Sequence, residues 1–501
     1  GDKPEEPYSV PQGGTMGGEE KINEWDMPVS QNTEHKAPNA QRDSNSNVSE
    51  FNKSKSLNVS GFKDARPKIN EVSVSIAVPK VLMYWKAASR FSLILFAALT
   101  PIFFLPFTSM PVAVHKEVFV FTLILVGFFS VLGRIILEGR IRYPGHLFTA
   151  ALLGLVLAWG VSAFFSVNQI GSLVGSWATP DSFAAILLFA VLSISVMLTF
   201  DRQDIVFSLL IFLASLTLLG IFELLQLAGI FVLPFEVSKN INFNPVGSIN
   251  DLGVLLAFGL VIVSGLMSST EISKILKRLL GTGAAILLLT LMLIDFWAIW
   301  VGLALAMIFL IGFLSIGLRN TNQHEHANTG LSQGSDPWEK GSDPSYQGLQ
   351  IAYFQNAWLP SIILLLSLLF LFIPSPVSRF VQIPVEVSPN FTATVNIAME
   401  NLKSGKYFFG SGPSTFSYAF NLYKPLGINQ TIFWSTTFTA GASAVTSWIS
   451  TVGVLGTLSI LFLIFAFVFT GIVGTSVRNA SRGFMNVASQ AVFVGVAYLF
   501  V

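Results

Sequence analysis

"NDLGVLLAFGLVIVSGLMSS", Asn250–Ser269, decides the fold class. Its one ionisable side chain, Asp251, sits at the start, and apolar or small residues fill the rest. At 1.5 Å per residue, a helix of about 20 residues crosses a hydrocarbon core of about 30 Å. Comparable runs lie near 91–108, 117–137, 146–166, 182–200, 205–228, 278–297, 299–318, 356–373, 447–471 and 484–501. Backbone groups in lipid must pair within their own segment, so these runs are expected to be helices. The alternating ten-residue strands that mark a membrane barrel are not seen. The expectation is an all-α polytopic transmembrane helical bundle, with about 11 spans seen and about 12 in the full chain.

Composition agrees. The 501 residues are 52% hydrophobic and only 11% charged, too little charge for a soluble surface of this size. The net charge of +1 gives no global field for nucleic acid, and none is expected as a partner. With no cysteine, disulfides, thiolate metal sites and cysteine nucleophiles are excluded together.

Residues 1–78 are polar and lack a sustained apolar period, so a disordered cytoplasmic tail is expected there. They do not show a signal-peptide pattern. The chain starts at Gly1 and stops inside an apolar run, and truncation at both ends is expected. The transmembrane domain is assigned to 79–501.

Basic residues orient the bundle. Lys80, Lys86 and Arg90 precede the first span, Arg134, Arg140 and Arg142 follow the second, and Arg202 separates the fourth and fifth. Lys274, Lys277 and Arg278 come before the seventh, Arg319 and Lys340 after the eighth, and Arg478 and Arg482 after the tenth. All fall on one side if the N-terminus is cytoplasmic, as the positive-inside rule requires.

Two long loops follow from that topology. Residues 319–355 repeat Gly-Ser-Asp-Pro at 334–337 and 341–344 and carry His324 and His326; a flexible cytoplasmic linker is expected, without a metal. Residues 374–446 form a large external loop, too aromatic for a linker and expected to fold against the mouth of the bundle. Within it, "FFGSGPSTFSYAFNLYKP", 408–425, invites a phosphate-loop reading. A P-loop needs a preceding strand and a Gly-Lys-Ser/Thr ending, whereas Gly412 is followed by Pro413 and Ser414. The local expectation is a Gly-Pro turn that starts a short helix through Phe416 and Phe420.

That stretch, continued by "NQTIFWSTTFTAGASAVTSWISTVGVLG" at 429–456, resembles the terminal part of the O-antigen ligase and polymerase superfamily. There a Gly-x-Gly-Pro turn in the outer loop precedes a helix with a Gly-hydrophobic-hydrophobic-Gly turn. "GSWATPDSF" at 175–183, "NFNPVGSINDLGVLLAF" at 242–258 and "DFWAIWVGLALA" at 295–306 resemble further segments of that family, in the same order and sidedness. The resemblance covers roughly residues 90–501.

What it implies is a metal-independent inverting glycosyltransferase without a cofactor, in a bacterial inner membrane. Such a protein moves a glycan from an undecaprenyl diphosphate carrier to a sugar or lipid acceptor on the outer face. The anionic leaving group needs cations, and the acceptor hydroxyl needs a base. The sequence departs from the family at those points. The family's His-Asn pair maps onto Ala442 and Ser443, the arginine before its Asn-Pro segment finds Lys239, and a second arginine has no counterpart in 388–398. The outward cations are Lys116, Lys239, Arg379, Lys403, Lys406 and Lys424.

Lys239 and the intramembrane Glu223 are the candidate catalytic residues. Asn244, Asn250, Lys403, Lys406 and Lys424 are candidates for holding phosphate, and Tyr423 and Trp434 for stacking on sugar. For Glu223, an interfacial residue beside Gln226 is an equal alternative. Asp251, after Asn250 as an entry cap, is expected to serve a helix start, and Asp295 a turn, with a base role as the alternative for Asp295. Trp177, Trp297, Trp300, Trp434 and Trp448 are expected to mark the outer interface. A noncatalytic relative that binds lipid-linked glycan or scaffolds cell-envelope assembly proteins is the second reading. A transporter would show broken helices, and these spans read as uniform.

Overall fold

The computed structural model describes residues 80–106, 112–140, 145–175, 181–269, 271–329, 344–375, 387–478 and 484–500. They belong to one unit of the chain, Ile76–Val501. The tail of 1–78, Trp177 and Arg379 lie outside the described residues, and so does most of the linker repeat.

The described residues form helices and connecting turns, without strands. In order these are α1 (Lys80–Leu99), α2 (Val112–Glu138), α3 (His146–Phe164), α4 (Gln169–Val174) and α5 (Phe183–Thr199). Next come α6 (Arg202–Leu227), α7 (Ile249–Met267), α8 (Lys274–Ile294), α9 (Trp297–Thr329) and α10 (Pro344–Phe372). The chain continues through α11 (Phe391–Asn401), α12 (Phe416–Tyr423), α13 (Ala444–Arg478) and α14 (Phe484–Tyr498).

Among the described residues, eight helices are long and apolar enough to cross a membrane: α1, α2, α3, α6, α7, α8, α9 and α13. Three shorter apolar helices, Phe183–Thr199, Ala357–Phe372 and Phe484–Tyr498, lie among them. Large apolar side chains such as Phe129, Ile136, Leu157, Leu458 and Phe465 stand exposed on these helices. Water would not tolerate so wide an apolar surface, and lipid requires it. The chain is a multi-pass helical membrane protein.

The most enclosed helix is α7, which packs against α6, α8, α9, α10 and α14. Its buried residues run through Leu256, Leu260 and Leu266 with small residues between. Those small residues set the spacing. A Cβ on Gly259 would fall 2.5 Å from Leu216 of α6, and one on Gly265 would fall 2.3 Å from the Ala491 Cβ of α14. Lipid offers no hydrophobic drive for helix pairing, so close backbone approach and dispersion must hold such contacts.

Several expectations change at this level. The first helix begins at Lys80 and stops at Leu99, not at 91–108, because Pro101 and Pro106 cannot continue it. Lys86 and Arg90 therefore ride on α1, paired with Glu138 and with Asp201 and Asp204 respectively. The linker is shorter than 319–355, since α9 persists to Thr329 and α10 starts at Pro344. His324 and His326 fall on α9, and a metal role for them falls outside the described side chains.

Trp300 is fully buried rather than interfacial, because its indole N–H donates to Asp295 Oδ1 at 3.0 Å. Asp295 is a turn residue, as expected: it closes α8 in a left-handed conformation, φ 48°, and its Oδ2 accepts from the Ser375 N–H at 2.9 Å. Asn250 does not cap α7. Ser248 does, accepting from the Asp251 N–H at 3.2 Å.

Candidate functional site

The Gly-x-Gly-Pro stretch is neither a phosphate loop nor a simple turn. It is docked, backbone to backbone, against a break in α13. Gly453 interrupts that helix with φ 66° and ψ −167°, a conformation closed to residues with a Cβ. The break frees carbonyls behind it and N–H groups ahead of it, and the 407–412 strip satisfies both sets. The Ser411 and Gly412 N–H groups donate to the Ser450 and Thr451 carbonyls at 3.1 and 2.7 Å. In return, the Val454 and Leu455 N–H groups donate to the Tyr407 and Phe408 carbonyls at 3.0 and 3.2 Å. The uniform span expected here is therefore broken, and the break is fully hydrogen-bonded at these positions.

Serines of α3, of α4 and of the turn between them fix the other side of the strip. Ser162 Oγ donates to the Phe409 carbonyl at 2.6 Å, Ser166 Oγ to that of Ser411 at 3.1 Å, and Ser172 Oγ to that of Pro413 at 2.7 Å. Ser414, at φ 60°, donates through Oγ to Asp181 Oδ1 at 3.0 Å. Burial pushes the Asp181 carboxyl above its ordinary range, and the Ser414 hydrogen bonds oppose that rise in part. The helix expected after the turn is present as α12, seated on Ile397 through Phe416 and Phe420. Downstream, Ser443 Oγ accepts from the Thr446 N–H at 3.3 Å and caps α13, while the Ala442 N–H donates to Thr394 Oγ1 at 2.9 Å.

The candidate residues form two groups. The first lies on α6, the 3₁₀ turn Glu236–Lys239 and the start of α7. Glu223 is fully buried, and neither carboxylate oxygen has a hydrogen-bond partner among the described residues. One turn on, Gln226 Nε2 donates to the Ser238 and Asn240 carbonyls at 2.7 and 2.6 Å and ties the Lys239 turn to α6. Lys239 itself is exposed. Asn244 is a structural residue at its oxygen, which accepts from the Val246 and Gly247 N–H groups at 3.0 and 2.9 Å. Its Nδ2 is buried without a hydrogen-bond partner among the described residues. Asn250 is partly buried in the first turn of α7.

The second group lies in the 387–443 segment, and the polar and ring contacts of its three lysines are made to partners within that segment. Lys403 pairs with Glu400 at 2.7 Å. Lys406 sits over the Tyr418 ring at 5.1 Å from its centroid. Lys424 donates to the Trp434 carbonyl at 2.8 Å and sits over Phe420 at 5.9 Å. Tyr423 packs against the α12 core, and Trp434 is 64% exposed, open for stacking. Beside them is a cleft of about 500 Å³ lined by Asn390, Asn396, Thr431, Phe433 and Phe438. Among the described residues its lining carries no charged side chain, and nothing in the sequence singled it out. The signal available was the aromatic spacing of Phe433 and Phe438, which a loop does not distinguish from core.

Among the described residues no group of three His, Asp or Glu side chains is arranged to hold a metal ion. No known protein-family model matches this chain. No curated protein matches it either.

Proposed function

We propose that this protein is a membrane glycosyltransferase of the O-antigen ligase and polymerase type, multi-pass in a bacterial inner membrane. It takes a glycan from an undecaprenyl diphosphate carrier and joins it to a sugar or lipid acceptor on the outer face. In this reading all eleven apolar helices span, the N-terminus is cytoplasmic, and 387–443 belongs to the external loop.

The observation that supports it is how the resembling stretches meet. Four stretches distant in sequence make two contacting pairs. Asp181 of 175–183 accepts from Ser414 of 408–425 at 3.0 Å. Gly253 of 242–258 lies against Ile299 of 295–306, where an added Cβ would come within 2.4 Å.

Lys239 is the residue best placed to meet an anionic leaving group, being exposed on a turn that Gln226 fixes to α6. Glu223 has no surface in this state, so a general-base role requires that substrate binding open a path to it. The cleft beside α11, uncharged among the described residues, suits uncharged sugar rings, with Phe433 and Phe438 as apolar faces and Asn390 and Asn396 as polar ones.

A noncatalytic glycan-binding or scaffolding role is the second reading. Lys403 and Lys424 are already engaged with Glu400 and the Trp434 carbonyl, and of Ala442 and Ser443, where the family's His-Asn pair maps, the first has no side-chain base and the second is a helix cap.

Proteoliposomes supplied with an undecaprenyl diphosphate glycan, without added metal, separate the two. Transfer by the parent, lowered about tenfold or more in Lys239→Ala and retained in Lys239→Arg, supports catalysis with Lys239 on the diphosphate. A parental rate in Lys239→Ala removes that role. Glycan binding without any transfer supports the second reading.

A further inference from the structure

A second cavity lies at the opposite ends of the helices, where α1, the end of α2 and the end of α5 meet. It has a volume of about 590 Å³ and is lined by Lys86, Arg90, Arg134 and Arg140 together with Glu138 and Asp201. Asp204 adjoins it through its 3.2 Å pair with Arg90. Among the described residues four cations thus face three carboxylates, a surplus of one positive charge. The acids are committed: Glu138 to Lys86 at 2.6 Å and, more loosely, to Arg134 at 3.9 Å, and Asp201 and Asp204 to Arg90.

Arg134 is differently placed. Its side chain is 13% exposed, its Nη2 donates to the Leu198 carbonyl at 2.6 Å, and Glu138 stands 3.9 Å from its Nε, too far for a hydrogen bond. Among the described residues neither that buried Nε nor the buried Oγ1 of Thr199 has a hydrogen-bond partner, and both residues line the cavity. Thr199 is 5% exposed. Buried donors are rarely left unmade, because each carries the full cost of lost hydration. Two such donors beside a cavity with surplus positive charge call for a ligand with several anionic acceptor oxygens.

We propose that this cavity binds a phosphate group, with Arg134 and Thr199 as its central donors and Arg140 at its rim. The site is separate from the glycan site proposed above and does not rest on it. With Nη2 held by the Leu198 carbonyl, the Arg134 Nε and the Thr199 hydroxyl are the donors left to a ligand of this cavity, and a tetrahedral oxyanion with several acceptor oxygens can use both where chloride cannot. The position at the ends of apolar helices fits the depth of a phospholipid headgroup; a free phosphate offers the same oxygens.

The test uses the full chain purified in detergent, with phosphatidylglycerol, phosphatidylcholine or inorganic phosphate added, reading thermal unfolding and the mass of retained ligand. The expected result is stabilisation by phosphatidylglycerol, little by phosphatidylcholine, and binding weakened about tenfold in Arg134→Gln. Thr199→Val and Arg140→Gln carry the test if Arg134→Gln does not fold, and each should also weaken binding. Loss of phosphatidylglycerol binding in the variants assigns a lipid headgroup. Stabilisation by inorganic phosphate alone, also lost in the variants, assigns free phosphate. The proposal is overturned if the parent responds to neither, if phosphatidylcholine serves equally well, or if the variants that fold bind as the parent does.

Discussion

The α7-centred bundle and the 387–456 segment are held by different forces. Around α7, side chain meets side chain: Leu256, Leu260 and Leu266 are enclosed by α6, α8, α9 and α14, and Gly259 and Gly265 let those neighbours close in. In the 387–456 segment, backbone meets backbone. Gly410 and Gly453 bring two strips of main chain together, and serines from α3 and α4 satisfy the outward carbonyls. A side-chain contact can be repaired by changing the volume of its partner. A backbone contact offers no such partner, and that difference can be tested.

The largest effect is expected at Gly410. A Cβ there would lie 2.2 Å from the Thr451 carbonyl oxygen, and the residue has φ 68°. Gly410→Ala should cost about 3 kcal/mol or more and release the segment, read as a lowered unfolding midpoint in detergent and proteolysis within 387–443. A midpoint within experimental error of the parent would mean that the strip is not held by the Gly453 break.

Gly265→Ala should cost somewhat less, about 2 kcal/mol, because its clash is with the Ala491 Cβ at 2.3 Å. The sharper measurement is rescue. Gly265→Ala combined with Ala491→Gly should regain most of the loss, whereas no single side-chain change should rescue Gly410→Ala. Failure of that rescue would break the distinction between the two regions.

Ser162→Ala removes one hydroxyl from the docked strip and strands the Phe409 carbonyl, a loss of about 1 kcal/mol. Ser162→Cys, a weak donor, should not restore it. An unchanged midpoint for Ser162→Ala would show that the α3 serines do not hold the strip.

The smallest effect is a pH dependence. The folded state holds the Asp181 proton to higher pH than the unfolded chain, whose ordinary value is 3.8. Its contribution to stability is therefore present below that value and is lost as pH rises through the folded one. Asp181→Asn keeps an acceptor for Ser414 and cannot ionise. Relative to the parent, the variant should gain stability as pH rises through that window and match it at the acid end. A constant difference across pH would remove Asp181 from the account.

How much could be read without coordinates follows the same division. The runs that became α2, α3, α6, α7 and α8 were legible because each is a continuous apolar stretch of spanning length. Asp295 and the α12 start were legible because turns and short helices follow local residue preferences. Trp300 misled because an aromatic residue near a span end has the same composition whether it faces lipid or donates inward to Asp295. Among the candidate site residues, Lys239 and Trp434 are exposed, while Glu223 and Asn244 are enclosed, and no local pattern separates those outcomes. The Arg134 cavity was hidden because the positive-inside pattern predicts basic residues at those ends whether or not they surround a space.

By itself the sequence determined that this is a multi-pass helical protein, and roughly where its helices run. The reason is local: in lipid each backbone group must find its partner within its own segment, so about 20 apolar residues suffice to specify a helix. Only the tertiary structure decided that α13 breaks at Gly453, that the break receives the 407–412 strip, and that Arg134 and Thr199 share a cavity. Those outcomes depend on approaches such as Ser162 to Phe409, 247 residues apart. Contacts of that separation leave no period in the chain, because they are set by which helices pack together and how closely small residues let them come.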